Sequence, residues 1–289
     1  MKIVLAGPGL MGSQIGCELA IGGHDVAFLL NQREAGERRV EAAFDLATTL
    51  DLWPANAIEA ARGRVSFLDT IESCDPATEL FLESIVEDAE PKIALLRSAA
   101  RQLPDAILAS NTSSISIGVL GDGCGAPERT IGMHYWNPPL IMPLVEVISG
   151  PNTRPDVVER AAALVLEIGK QPMIVDRDVP GFVWNRLQFA LLREAVWIVE
   201  NGVAAPEIVD EIVRDGLARR WRYTGPFATA ALGGPATFTN VANNLWPVLS
   251  NAPEVHDLAR WLPTDAGTLA ETRAKRDAGL LRDLKAERE

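Results

Sequence analysis

The N-terminal half of the chain alternates between two hydrophobic patterns. Short apolar runs predict strands near 2–6, 25–30, 64–67, 79–83, 106–110, 129–133 and 143–149. Between them, apolar positions recur at helical spacing over 10–22, 34–51, 91–103 and 155–168. Gln171-Pro172-Met173-Ile174-Val175 reads as one last strand, with Pro172 marking its start or an edge position. Such alternation predicts a parallel, doubly wound sheet. The pattern changes at Asp178-Val179-Pro180-Gly181-Phe182, where proline and glycine punctuate the chain. Only helical periods follow, over 182–201, 206–217, 238–249 and 264–285. The expected architecture is therefore α/β: a doubly wound sheet in residues 1–178, then an all-α domain in residues 179–289. Residues 271–289 read as a charged helix whose interspersed leucines pack one narrow face.

The first strand runs straight into Gly7-Pro8-Gly9-Leu10-Met11-Gly12, and a helical pattern begins at once. This is G-x-G-x-x-G between a strand and a helix, with a second strand following. Gly7 permits the tight turn, Gly9 lets a pyrophosphate approach the backbone, and Gly12 lets helix and strand pack closely. The helix N-terminus presents free N–H groups to the phosphates. The spacing thus points to a dinucleotide site.

A second segment carries candidate chemistry. Between Gly132 and Ile148, His134 and Glu146 stand in a stretch otherwise almost wholly apolar. Isolated polar groups are costly there, so such groups pair. Pro138 and Pro139 break any helix and force a turn between two strand-like runs, which can return Glu146 to the side of His134. A carboxylate on an imidazole fixes its tautomer and stabilises the protonated ring, making a general base near neutral pH. The segment taken alone fits equally a core histidine satisfied by a strand-end glutamate.

Composition narrows the class. A chain of 289 residues is long enough for two cores. No apolar run is long enough to span a membrane, and the N-terminus reads as a core strand rather than a signal peptide. Cys17, Cys74 and Cys124 are widely spaced and odd in number, and His24, His134 and His256 have no ligand spacing, so no metal or disulfide pattern emerges and a reducing, cytoplasmic setting is expected. The net charge of −12 argues against nucleic acid or an anionic membrane as partner.

Further motifs complete the series: Leu82-Glu83-Ser84-Ile85-Val86-Glu87, Ser110-Asn111-Thr112-Ser113-Ser114, and Pro180-Gly181-Phe182-Val183-Trp184-Asn185-Arg186-Leu187. In this order, with the 7–12 and 132–148 segments, they resemble the L-3-hydroxyacyl-CoA dehydrogenase family over nearly the whole chain. Asn137-Pro138-Pro139, Met142-Pro143-Leu144-Val145-Glu146, Val199-Glu200-Asn201-Gly202 and the stretch from Gly216 through Arg220 to Gly225-Pro226 are more similar to its lambda-crystallin or L-gulonate 3-dehydrogenase branch. The resemblance implies a Rossmann-type N-terminal domain and a helical domain for substrate binding and homodimerisation. It implies NAD held by Gly7, Gly9, Leu10, Met11, Gly12, Asn31, Glu87, Lys92 and Asn111, with Glu87 and Lys92 lining the nicotinamide-side ribose. His134 matches the general base and Glu146 the carboxylate that orients it. Ser113 matches the hydroxyl that bonds the reacting oxygen, and Asn185 the helix asparagine that closes the site from the second domain. Asn137 is expected beside the substrate. Read singly, Ser113 is also a helix cap and Asn185 a solvent-facing helix residue.

One position departs from the family. Where it carries an aspartate for the adenosine ribose, this chain has Asn31, followed by Gln32 and Arg33. Loss of the acid with an arginine nearby can admit a 2′-phosphate, so NADP stays open beside NAD. The substrate alternatives are a free 3-hydroxy acid and its CoA thioester. Arg220 matches an arginine of the gulonate branch, and a guanidinium there favours a free carboxylate; it reads equally as an exposed basic turn. Residues 34–64 contain no lysine, leaving Arg62 and Arg64 as candidate anchors for a CoA 3′-phosphate. A non-catalytic, crystallin-like dinucleotide binder and a helper module of a larger fatty-acid oxidation complex are the contrasting classes; the His134, Glu146, Ser113 and Asn185 set argues against the first, and the polar C-terminal tail against the second.

Overall fold

The alternating apolar runs assemble into one eight-stranded sheet in a computed structural model that describes residues 1–255 and 257–288; His256 lies outside the described residues. In chain order the elements are β1 (Lys2–Ala6), α1 (Leu10–Ile21), β2 (Asp25–Leu29), α2 (Arg33–Leu50), α3 (Ala55–Arg62), β3 (Val65–Leu68), β4 (Leu80–Glu83), α4 (Ala89–Gln102) and β5 (Ile107–Ser110). Then come α5 (Ile117–Cys124), β6 (Thr130–Tyr135), β7 (Leu144–Ser149), α6 (Pro155–Glu167) and β8 (Gln171–Val175). Strand order is β3-β2-β1-β4-β5-β6-β7-β8. Every neighbouring pair is parallel except β6 and β7, which run antiparallel across the Pro138–Pro139 turn. The order reverses between β1 and β4, the kind of switch point where open α/β sheets take ligands.

The period-two alternation of β1 shows how the core is divided. Ile3 and Leu5 join the cluster that α1 and α2 cover, with Ile15, Leu19 and Phe44. Val4 and Ala6 point to the other face, with Phe81, Leu96 and Leu108. Gly7 turns the chain from β1 into α1 at φ +86°, and a Cβ there would stand 2.7 Å from Ser84 O. A Cβ on Gly12 would meet Gly7 O at 2.3 Å, so a side chain there would drive α1 off the turn.

Chain contacts divide the molecule into two units, one formed by Met1–Asn185 with the residues from Glu271 on, the other by Arg186–Ala270. The second unit contains the rest of α7 (Trp184–Glu200), then α8 (Pro206–Glu211), α9 (Arg219–Trp221), α10 (Pro226–Gly233) and α11 (Pro235–Leu245). The helix expected over 206–217 changes to π-helical winding at Ile212–Ala218 before continuing into α9. The final helix, α12 (Ala266–Arg288), returns to the first unit. Leu280, Leu281 and Leu284 pack on its core, and Lys285 Nζ meets Asp51 at 3.2 Å. This is the narrow leucine face that the sequence predicts, seated on the core of the first unit. No described helix is long and apolar enough to cross a membrane.

Candidate active site

The antiparallel pairing of β6 and β7 sets His134 directly opposite Glu146 in register. Side chains opposite each other lie on the same face of the sheet, and His134 Nδ1 meets Glu146 Oε2 at 2.8 Å. Both residues are buried. With Glu146 as acceptor the ring carries its proton on Nδ1, leaving Nε2 as the basic nitrogen. Trp136 Nε1 donates a longer bond to the same oxygen, at 3.4 Å. The other oxygen, Oε1, accepts from the backbone N–H groups of Val183 and Trp184 at 3.1 and 3.0 Å. Burial pushes the Glu146 carboxyl up, but the bonds from His134, Trp184 and Val183 and the charge of His134 outweigh it and hold the group below its usual 4.5.

The 181–185 segment is shaped for this contact. Gly181 and Phe182 both take positive φ, 80° and 50°. A fully buried phenylalanine in the left-handed region is uncommon and costs on the order of 1–3 kcal/mol. The turn aims two consecutive N–H groups at Glu146 and sets the Phe182 ring 5.7 Å from the His134 ring. Trp184 stacks on Trp136 at 3.7 Å. The next residue, Asn185, donates Nδ2 to Ser113 O at 2.8 Å. One short segment therefore touches both the His134–Glu146 pair and the Ser113 loop, and Asn185 does so from within the first unit.

Ser113 is exposed at the tip of the loop after β5. Glu87 holds that loop. Its Oε1 accepts from Thr112 Oγ1 at 2.7 Å, Ser113 N at 2.8 Å, Ser114 N at 2.9 Å and Ser114 Oγ at 3.0 Å. Burial raises the Glu87 carboxyl, while these bonds and the Lys92 charge lower it, with a net fall below 4.5. The resemblance puts Lys92 beside a ribose; the structure instead buries it at 1 % exposure, with Nζ 2.8 and 2.9 Å from the two oxygens of buried Glu83 and 3.5 Å from Glu87. Ser110 Oγ also donates to Glu83. Lys92 is thus the counter-ion of two carboxylates, and Glu83 is a member of the site that the sequence motif contained without a role. The signal was available, because Lys92, Leu96 and Ala99 are the buried positions of α4 at helical spacing. Asn111 is likewise engaged internally, donating to Ser84 Oγ and accepting from Tyr135 N. Asn137 is exposed and its peptide bond to Pro138 is cis.

The turn after β6 has a buried clamp that sequence reading did not find. Lys170 Nζ donates to Pro139 O at 2.8 Å and Met142 O at 2.5 Å, and lies 3.0 Å from Glu18 of α1.

The dinucleotide elements fit their group. Gly9 faces open space: beyond its own stretch of backbone, nothing lies within 4 Å of the point a Cβ would occupy. It opens α1, whose first-turn N–H groups have no intrahelical acceptor. Beside it lies a cavity of about 330 Å³ lined by Gly7, Leu29, Asn31, Asp69, Ile71 and Ile85 among others. Exposed Leu10 and half-buried Met11 form the first turn of α1. Arg220 is exposed in the second unit, on α9.

Comparison with known proteins decides the family. Residues 2–179 match the model of the 3-hydroxyacyl-CoA dehydrogenase NAD binding domain, and residues 181–266 match the C-terminal domain of the same enzymes. The chain belongs to the 3-hydroxyacyl-CoA dehydrogenase family. It is an NAD-dependent dehydrogenase acting on a CH–OH group. It is 37% identical over 255 residues to 5-formyl-3-hydroxy-2-methylpyridine 4-carboxylate 5-dehydrogenase of Mesorhizobium japonicum, covering 88% of this chain and 82% of that one. An L-carnitine dehydrogenase of Oceanobacillus iheyensis is 31% identical over 271 residues, covering 89% of this chain and 86% of its own. A crystal structure of a 5-formyl-3-hydroxy-2-methylpyridine 4-carboxylic acid 5-dehydrogenase, described as an NAD+-dependent dismutase, superposes with a TM-score of 0.88 at 32% identity, covering 98% of both chains. The family boundary at residues 179–181 falls in the Pro180–Gly181 punctuation of this dehydrogenase.

Proposed function

We propose that this dehydrogenase oxidises the hydroxyl of a free 3-hydroxy acid, with His134 as general base. The observation that carries the reading is the buried His134–Glu146 pair at 2.8 Å, with Nε2 left as the basic nitrogen. Bound NAD supplies the hydride acceptor. His134 Nε2 takes the hydroxyl proton, and Glu146 stabilises the imidazolium that results. Ser113 Oγ and the second Nδ2 hydrogen of Asn185 donate to the substrate oxygen as it becomes a carbonyl. Gly7, Gly9, Leu10, Met11 and Gly12 hold the pyrophosphate, and Glu87, carried by Lys92 and Glu83, sets the Ser113 loop. Asn137 lies at the substrate side.

Two observations favour a free acid over a CoA thioester. The relatives named above are named for free acids, a pyridine carboxylate and carnitine. Arg62, one of two candidate anchors for a CoA phosphate, is already shared by Glu41 and Asp45 and lies over the Phe44 ring. The protein is read as cytoplasmic, lambda-crystallin-like and homodimeric. Its second unit leaves Phe227 91 % and Trp246 73 % exposed, apolar surface that a second copy would cover. Light scattering is expected to give a dimer mass. The substrate test is a reductant-formation screen in which NAD is offered with 3-hydroxybutyrate, L-gulonate, carnitine and 3-hydroxybutyryl-CoA. Turnover of a free acid supports the reading; turnover of the thioester alone overturns it.

A further inference from the structure

The cavity beside the glycine turn has an unexpected acid. β2 and β3 pair in parallel and end side by side, with Leu29 opposite Leu68. The residues just past those ends, Asn31 and Asp69, both line the cavity. Arg33, the basic residue that leaves a 2′-phosphate open in the sequence, is not available as it stands. Its Nη1 donates to Asp69 Oδ2 at 2.8 Å, and its Nε donates to Glu37 Oε1 at 2.9 Å. One guanidinium thus faces two carboxylates, and the trio has a net negative charge.

We propose that Asp69 supplies the acidic ribose contact that Asn31 does not, and that by holding Arg33 it sets a preference for NAD over NADP. The inference rests on the dinucleotide reading of this cavity. A carboxylate accepts from a ribose hydroxyl, which a 2′-phosphate cannot donate. A 2′-phosphate brought here meets the Asp69 carboxylate, whose Arg33 partner is shared with Glu37, and like charges at contact distance repel. Recognition has moved one strand along the sheet edge: the acid stands after β3 instead of after β2. Because Asp69, Arg33 and Glu37 are all substantially exposed, the fold does not depend on their ion pairs.

The test is direct binding, independent of turnover. NADH and NADPH are titrated by fluorescence into wild-type protein, Asp69→Asn, and Asp69→Asn combined with Arg33→Ala. Wild type is expected to bind NADH more tightly. Asp69→Asn is expected to weaken NADH, strengthen NADPH and move the ratio of their Kd values by about tenfold or more, the worth of one charge-assisted contact. The double variant is expected to lose the gain for NADPH, because the freed Arg33 supplies it. A Kd ratio in Asp69→Asn that matches wild type overturns the role of Asp69 while leaving the dinucleotide site standing. A wild-type protein that binds neither dinucleotide defeats the site itself.

Discussion

Replacing Glu146 by glutamine changes one atom and reverses one hydrogen bond. The Glu146 side chain is 2 % exposed, and each of its oxygens has two donors, so the amide has only two placements. Turning the NH2 toward Val183 N and Trp184 N sets donor against donor twice, leaving two buried N–H groups unpaired at about 1–3 kcal/mol each. Turning it toward His134 preserves both backbone bonds and opposes only the long Trp136 contact, so this placement wins. The NH2 then donates to His134 Nδ1, the ring proton moves to Nε2, and the base is lost. General-base removal costs about 10²–10⁴ in rate, or ~2.7–5.4 kcal/mol at 1.36 kcal/mol per tenfold. The assay is steady-state NADH formation from the best substrate of the screen, with thermal melting as a check on folding. Dinucleotide affinity is expected to be unchanged. With the imidazolium less stabilised, the acid limb of kcat/KM in any residual activity is expected at lower pH. A Glu146→Gln enzyme within about threefold of wild-type kcat, far less than a lost base costs, refutes the reasoning.

Three other outcomes follow from particular residues. Lys170→Met leaves Glu18 without its buried cation and two carbonyls without a donor, so the urea unfolding free energy is expected to fall by about 3–5 kcal/mol; a loss below about 1 kcal/mol counts against the clamp. Glu146 has a folded pKa depressed below 4.5, so its contribution to stability is present above that pH and is lost as pH falls through the folded value; melting at pH values on either side of 4.5 is expected to show a smaller acid loss in Glu146→Gln than in wild type, and equal losses contradict the linkage. Arg220→Met is expected to raise KM for a free acid by about tenfold or more, the worth of a charge-assisted contact, with cofactor affinity unchanged; an unaltered KM removes Arg220 from the substrate site.

Much of the site was legible in the sequence because local rules determine it. A glycine turn between strand and helix, and two apolar runs joined by Pro138–Pro139, leave few arrangements, and the second sets His134 opposite Glu146. What escaped depends on packing between segments distant in sequence. Helix α5 contains Gly118, Gly121 and Gly123, a composition with poor helix propensity. It forms because those glycines let Pro151, Pro127 and Ile93 pack against it at distances a Cβ would not allow. The inward role of Lys92 was obscured by its charge, although its spacing to Leu96 puts it on the buried face of α4. Asp69 went unnoticed because no local motif marks it; only the pairing of β2 with β3 carries it to Asn31. The π-helical winding at Ile212–Ala218 has no counterpart in the residue pattern.

The central claim is that His134 acts on the substrate proton and not on the cofactor. The most direct measurement compares His134→Ala with wild type for NADH binding by fluorescence titration and for turnover of the free acid on the same preparation. The account predicts an unchanged NADH Kd with turnover reduced about 10²–10⁴-fold. Normal turnover in His134→Ala, or a turnover loss matched by an equal loss of NADH affinity, contradicts it.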